Sequence, residues 1–140
     1  MRSPIKILLI EDDPDDVELL QDSLNDENVV YEMNVINDGE LVLDYLHKNT
    51  TVPDIIVLDL NLPRVHGKEI LKKIKITPPY ENIPLLILTT SSAKEDIEFS
   101  YKHGANKFLN KPTTIESFKS TVEIILDLAS SPDSSLKNVH

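Results

Sequence analysis

Asp54-Ile55-Ile56-Val57-Leu58-Asp59-Leu60-Asn61-Leu62-Pro63 is the stretch whose reading decides the fold. Four consecutive branched apolar residues cannot form an alternating, half-exposed strand. They read as a central strand buried on both faces, as in a parallel sheet. Asp59 then stands at the carboxyl end of that strand, the edge where open α/β sheets bind ligands.

Similar runs lie on either side. Lys6 to Ile10 reads as a first strand and leads into Glu11-Asp12-Asp13-Pro14-Asp15-Asp16. Pro14 suits a first helical position and Asp13 an N-cap, while Asp15 and Asp16 favour the positive end of a helix dipole. Val17, Leu20 and Leu24 give that helix an inward face. Val30 to Ile36 is a second strand and about Glu40 to His47 a second helix. Past Pro63, a third helix carries Gly67, Ile70, Leu71 and Ile74. Leu85 to Leu88 is a fourth strand ending in Thr89-Thr90-Ser91-Ser92. A capping box of Ser92 with Glu95 is expected to open a fourth helix, whose apolar pattern (Ile97, Phe99, Tyr101) is weak. Lys107 to Asn110 is a short fifth strand, followed by Lys111-Pro112. Thr113 with Glu116 is expected to cap the last helix. Its inward face is Ile115, Phe118, Val122, Ile125, Leu126 and Ala129.

Five strands alternating with five helices, joined by right-handed crossovers, make a doubly wound parallel α/β sheet. With 140 residues and 40% hydrophobic content the chain suits one domain. It has no cysteine, which excludes disulfides and thiolate chemistry. No apolar run reaches the roughly 20 residues of a membrane span, and no signal peptide is visible. A cytoplasmic protein without a membrane partner is expected. The net charge is −10, and residues 1–44 hold 13 of the 24 acidic residues but two of the 14 basic ones. Nucleic-acid binding needs a basic stripe, and none is present.

The strand ends gather a particular set. Glu11 and Asp12 follow strand one, Asp59 strand three, Thr89 and Thr90 strand four, and Lys111 strand five. Clustered carboxylates repel one another unless a cation joins them. All-oxygen donors suit a hard divalent ion such as Mg²⁺. A carboxylate beside Mg²⁺ can attack phosphorus, with Lys111 and the Thr89 hydroxyl placed to receive phosphoryl oxygens. Taken singly, each residue has an ordinary explanation as a cap, a strand residue or a surface lysine. Asp13, Asp15 and Asp16 are read as caps alone.

Glu11-Asp12, Asp59 with Leu62-Pro63 and Gly67 beyond it, Thr89-Thr90 and Lys111-Pro112 together resemble the receiver domain of two-component response regulators. The resemblance covers residues 5–128 and implies the flavodoxin-like strand order 2-1-3-4-5. It implies that Asp59 accepts phosphate from a sensor histidine kinase. It also implies Asp12, Asp59 and the Asn61 carbonyl as Mg²⁺ ligands, with Glu11 acting through water. Thr89, Lys111 and Thr90 would surround the phosphoryl group, and the Lys111-Pro112 bond would be cis. Phe108 falls at the family's aromatic switch position, where it follows movement of Thr89. On residues alone it is equally a core side chain.

Residues 129–140 read as a flexible tail, and no output domain is expected. Output then lies in contact with an unknown downstream protein, or in a homodimer through the fourth helix, fifth strand and fifth helix. The proline-bearing connection before strand four and the Thr89-Thr90-Ser91 run are similar to regulators that serve cyanobacterial phytochromes. The principal rival is an aspartyl-phosphate phosphatase of the haloacid dehalogenase type. It needs an acid two residues after the nucleophile, where this chain has Asn61. An FMN module is disfavoured because Glu-Asp-Asp after strand one would repel a phosphate. An adaptor that is never phosphorylated is disfavoured by the intact acid set.

Overall fold

The computed structural model describes residues 3–48, 51–63 and 65–130. Five strands, β1 (Ile5–Ile10), β2 (Tyr31–Ile36), β3 (Ile55–Leu58), β4 (Leu85–Thr89) and β5 (Lys107–Asn110), form one sheet in the order β2-β1-β3-β4-β5. All four pairings are parallel. The helices are α1 (Pro14–Asp26), α2 (Glu40–Lys48), α3 (Gly67–Ile74), α4 (Lys94–Lys102) and α5 (Ile115–Ala129), with a 3₁₀ turn at Tyr80–Asn82.

The unbroken apolar run of β3 has the meaning read from it. Ile55, Ile56, Val57 and Leu58 are all fully buried. Successive side chains point to opposite faces, so the run feeds two cores. Ile56 and Leu58 join Leu8, Ile10, Leu85 and Ile87 under α2 and α3. Ile55 and Val57 join Ile7, Leu9, Leu86 and Leu88 under α1 and α5. From α1, Leu20 and Leu24 reach the second core, and from α5 come Val122, Ile125 and Ala129.

Several local details differ from expectation. β2 begins at Tyr31, one residue later than read, and α2 runs to Lys48. The N-cap of α4 is Ala93, without a side-chain cap. Ser92 and Glu95 do not form the box. Instead Ser91 Oγ accepts the Ala93 N–H at 3.3 Å, while Asn110 Nδ2 holds the Ser91 carbonyl at 2.8 Å. The helix therefore starts one residue later than the Ser92 spacing implied. At α5 the N-cap is Thr114 and its reciprocal partner Ser117. Two adjacent threonines offered the same spacing, to Glu116 and to Ser117. The weak pattern of α4 has a structural counterpart, because its buried residue is Ser100, whose Oγ donates to the Asp96 carbonyl at 2.7 Å. Ile115, expected on the inner face of α5, is 79% exposed because the helix begins there, beyond the edge of the core. The expected tail lies outside the described residues, apart from Ala129, which is buried in α5, and Ser130, which ends the helix.

Gly67 ties the fold to the site. A Cβ at this position would lie 2.4 Å from Leu60 Cα and 2.6 Å from its carbonyl oxygen. Glycine therefore lets α3 start against the backbone one residue beyond Asp59, and its N–H donates to the Leu60 carbonyl at 3.2 Å.

Ile56→Ala is expected to lower the unfolding free energy by about 2–5 kcal/mol, whereas Ile115→Ala should change it by less than about 0.5 kcal/mol. Urea titration of the two variants checks this. Similar losses in both would place Ile115 in the core.

Candidate functional site

Each site residue is delivered by a strand end. Glu11 N–H donates to the Ile36 carbonyl and Asp59 N–H to the Ile10 carbonyl, both at 3.0 Å. These sheet-type bonds carry the two residues one step past β1 and β3. Lys111 N–H donates to the Thr89 carbonyl at 2.8 Å, which fixes the lysine beside the end of β4. Glu11 and Asp59 are buried, Thr89 is fully buried, and Asp12 is exposed at the rim.

The side chains converge as expected. Lys111 Nζ lies 2.9 Å from Asp59 Oδ2 and 2.9 Å from Glu11 Oε1. The other Asp59 oxygen, Oδ1, accepts the Asn61 N–H at 3.0 Å. Glu11 Oε2 accepts the Asp13 N–H at 3.1 Å. Asn61 Nδ2 donates to Thr89 Oγ1 at 3.3 Å and to Thr90 Oγ1 at 3.0 Å. Asn61 thus bridges the two threonines at the position where a dehalogenase-type phosphatase needs its acid. Phe108 is half-buried against the core beneath α2 and α3, and its N–H donates to Tyr101 Oη at 3.0 Å.

One participant escaped the sequence. Asp16, read as a helix cap, places Oδ2 2.6 Å from Lys111 Nζ. The capping bond belongs to Asp13, which accepts the Asp15 N–H at 2.9 Å. An acid in a first turn has a sufficient explanation in the helix dipole, so nothing in the chain marked Asp16 as different from Asp15. Its place on α1, three residues past the cap, brings it round to face the fifth strand end.

A second correction concerns Pro112. The cis peptide bond among the described residues is Pro78–Pro79, and Lys111–Pro112 is trans. An X–Pro bond prefers trans by only about 0.5–1 kcal/mol, so the local sequence does not choose the isomer.

Electrostatics follow from burial. Desolvation pushes the Glu11 carboxyl up from 4.5 to about 7, assisted by the nearby charge of Asp59 and opposed by the hydrogen bond from Lys111. Burial alone would lower the Lys111 ammonium. Its bonds to Asp16, Glu11 and Asp59 outweigh that and raise it. Glu11, Asp12 and Asp59 each bring a carboxylate oxygen within 4.8 Å of the others. Three oxygen donors with net negative charge fit a divalent cation, and the Lys111 ammonium already supplies a positive charge to two of them.

Residues 7–123 match the family model of the response regulator receiver domain. The chain belongs to the response-regulator receiver family. This receiver is 34% identical over 125 residues to response regulator Rcp1 of Synechocystis sp., an alignment covering 86% of this chain and 85% of that one. It matches the structure of the phosphorylated cyanobacterial phytochrome response regulator RcpA with a TM-score of 0.82 at 34% identity, over 92% of this chain and 96% of that one. The Mn²⁺-bound form of Rcp1 matches with a TM-score of 0.78 at 34% identity, over 88% and 92% of the two chains. The expected likeness to cyanobacterial phytochrome regulators is borne out, as is the strand order of the receiver fold. The family's role is that of a phosphoacceptor in two-component signalling, and the phosphatase alternative is not favoured. Among the described residues no helix is long and apolar enough to cross a membrane.

The raised Glu11 carboxyl makes a pH prediction for the metal-free receiver. The folded state keeps a proton between pH 4.5 and about 7 that the unfolded chain has lost. Stability from this group is therefore full at the acid end and falls as pH rises through that window. The melting temperature of the metal-free protein is expected to fall between pH 5 and 8, and Glu11→Gln to flatten that fall. An equal fall in the variant would remove Glu11 as its source.

Proposed function

We propose that this receiver is a phosphorylation switch in which Asp59 takes a phosphoryl group from a phosphohistidine of a sensor histidine kinase. An Asp59 carboxylate oxygen forms the new O–P bond as the P–N bond to the donor imidazole breaks, and the bonding pair returns to the ring nitrogen. The observation that carries this reading is the clamping of Asp59, with Oδ2 on the Lys111 ammonium and Oδ1 on the Asn61 N–H. A carboxylate held at both oxygens is already oriented for attack, and orientation is a large part of what phosphoryl transfer requires.

The remaining roles follow the family resemblance and are supported by the convergence of these side chains at the strand ends. Lys111 donates to one phosphoryl oxygen and Thr89 to another, with Thr90 beside them. Asp12, Asp59, the Asn61 carbonyl and, through water, Glu11 would hold Mg²⁺, which would supply positive charge to the transferring group. The choice of Mg²⁺ rests on the all-oxygen donor set, and the Mn²⁺-bound form of Rcp1 supports a divalent ion at such a site. Phe108, within β5 and packed against the α2–α3 core, is assigned to the switch that reads the movement of Thr89. Output passes by protein contact across α4, β5 and α5, to a downstream protein or to a second copy. Partnership with a histidine kinase that draws on ATP is the support for a cytoplasmic location.

Incubation with acetyl phosphate and Mg²⁺ is expected to yield one phosphate adduct by intact mass, and none in Asp59→Asn. An adduct persisting in that variant would overturn the assignment. Lys111→Ala is expected to slow adduct formation by about 10²–10³-fold, the usual loss on removing a charge-stabilising donor. Size exclusion with and without a phosphate mimic tests the homodimer, and an unchanged elution volume would count against phosphate-gated assembly.

A further inference from the structure

A lysine ammonium has three N–H donors. In this receiver three carboxylates face Lys111 Nζ: Asp16 at 2.6 Å, Glu11 at 2.9 Å and Asp59 at 2.9 Å. Glu11 and Asp59 also belong to the trio that fits a divalent cation, whereas Asp16 stands outside it. The ammonium and the cation therefore make competing claims on the same two side chains. Two positive charges held on shared oxygens repel, and in a partly buried site that repulsion is weakly screened.

Asp16 offers the lysine a contact that the cation does not use. Its distance to Nζ is the shortest of the three. Its side chain is 31% exposed, against 5% for Glu11 and 4% for Asp59, so it approaches the ammonium from the solvent side. It is also firmly mounted. Pro14 fixes the first position of α1, Asp13 caps it, and the Val17 N–H donates to the Asp13 carbonyl at 3.1 Å. The lysine is anchored separately, through its own N–H on the Thr89 carbonyl.

We propose that Asp16 is a positioning residue whose carboxylate holds the Lys111 ammonium at the rim of the acidic cluster, so that lysine and divalent cation occupy the site together. The proposal rests on the phosphoacceptor reading for its purpose, but its geometry is independent of the phosphoryl group. Without Asp16 the ammonium settles fully on Glu11 and Asp59 and opposes the cation there. Lys111 would also lose the orientation from which it meets a phosphoryl oxygen.

Calorimetric titration of Mg²⁺ into the full chain tests this with wild type, Asp16→Asn, Asp16→Glu, Lys111→Ala and the Asp16→Asn/Lys111→Ala double variant. Asp16→Asn is expected to weaken Mg²⁺ binding about tenfold, in the range seen when partners of metal ligands are lost. Asp16→Glu should recover most of that loss. In the Lys111→Ala background the same Asp16→Asn change should cost less than about threefold, because the group it restrains is gone. Thermal transitions confirm folding. Should Asp16→Asn not fold, Asp16→Ser takes its place in the cycle. A loss under about threefold in the wild-type background, or equal losses in the two backgrounds, overturns the proposal, the latter by showing that Asp16 acts on the cation through its charge alone. Failure of the phosphoacceptor reading would look different. The Mg²⁺ cycle would stand while wild type formed no acetyl phosphate adduct.

Discussion

The ammonium of Lys111 is the charge around which the site is assembled. It draws Glu11 from the end of β1, Asp59 from the end of β3 and Asp16 from α1 onto one point reached from β5. Carboxylates with side chains 4–5% exposed cannot sit together in a low-dielectric pocket without a counter-charge, and stranding such charges typically costs about 3–5 kcal/mol. The interaction also spans 95 residues between Asp16 and Lys111, closing the first helix onto the last strand. The acidic character of the amino-terminal part of the chain thus has a local purpose within a surface that is otherwise solvated charge.

What the ammonium balances, the sheet holds in place. Asp59 is one residue past a strand whose every side chain is buried, with neighbours paired on both sides. On its other flank Leu60 is pressed by Gly67, where no side chain fits. The segment Leu58 to Asn61 is therefore pinned from the sheet and from α3. Rotational freedom of the carboxylate is removed further by the Asn61 N–H. A reactive group mounted this way pays little ordering entropy when it reacts, since folding has already fixed it.

The architecture was legible because burial on both faces leaves an unmistakable trace in β1, β3 and β4. Glu11, Asp12, Asp59 and Thr89 were legible as a set because each ends or follows such a run, and Lys111 joined them through its place after the short, half-exposed β5. Details with two local solutions were not. Thr113 with Glu116 and Thr114 with Ser117 satisfy the same spacing, and only the packed structure selects the second. Ile115 continues the periodicity of α5 but lies past the core it would join. The Lys111–Pro112 isomer is a near-balanced choice set by surroundings. Asp16 was hidden for a different reason: the helix dipole fully accounts for an acid at that position, so its second contact, to a residue far along the chain, leaves no signal in the local pattern.

The hydroxyl of Tyr101 on α4 accepts the Phe108 N–H of β5. Strand β5 is the outer edge of the sheet, and its free backbone donors would otherwise be a template for another chain. A phenol carried on the neighbouring helix fills the donor at the centre of that short strand. Strand-to-strand pairing is thereby discouraged at this position of the edge. A continuous backbone ladder between chains would be slow to release, and filling this donor works against one.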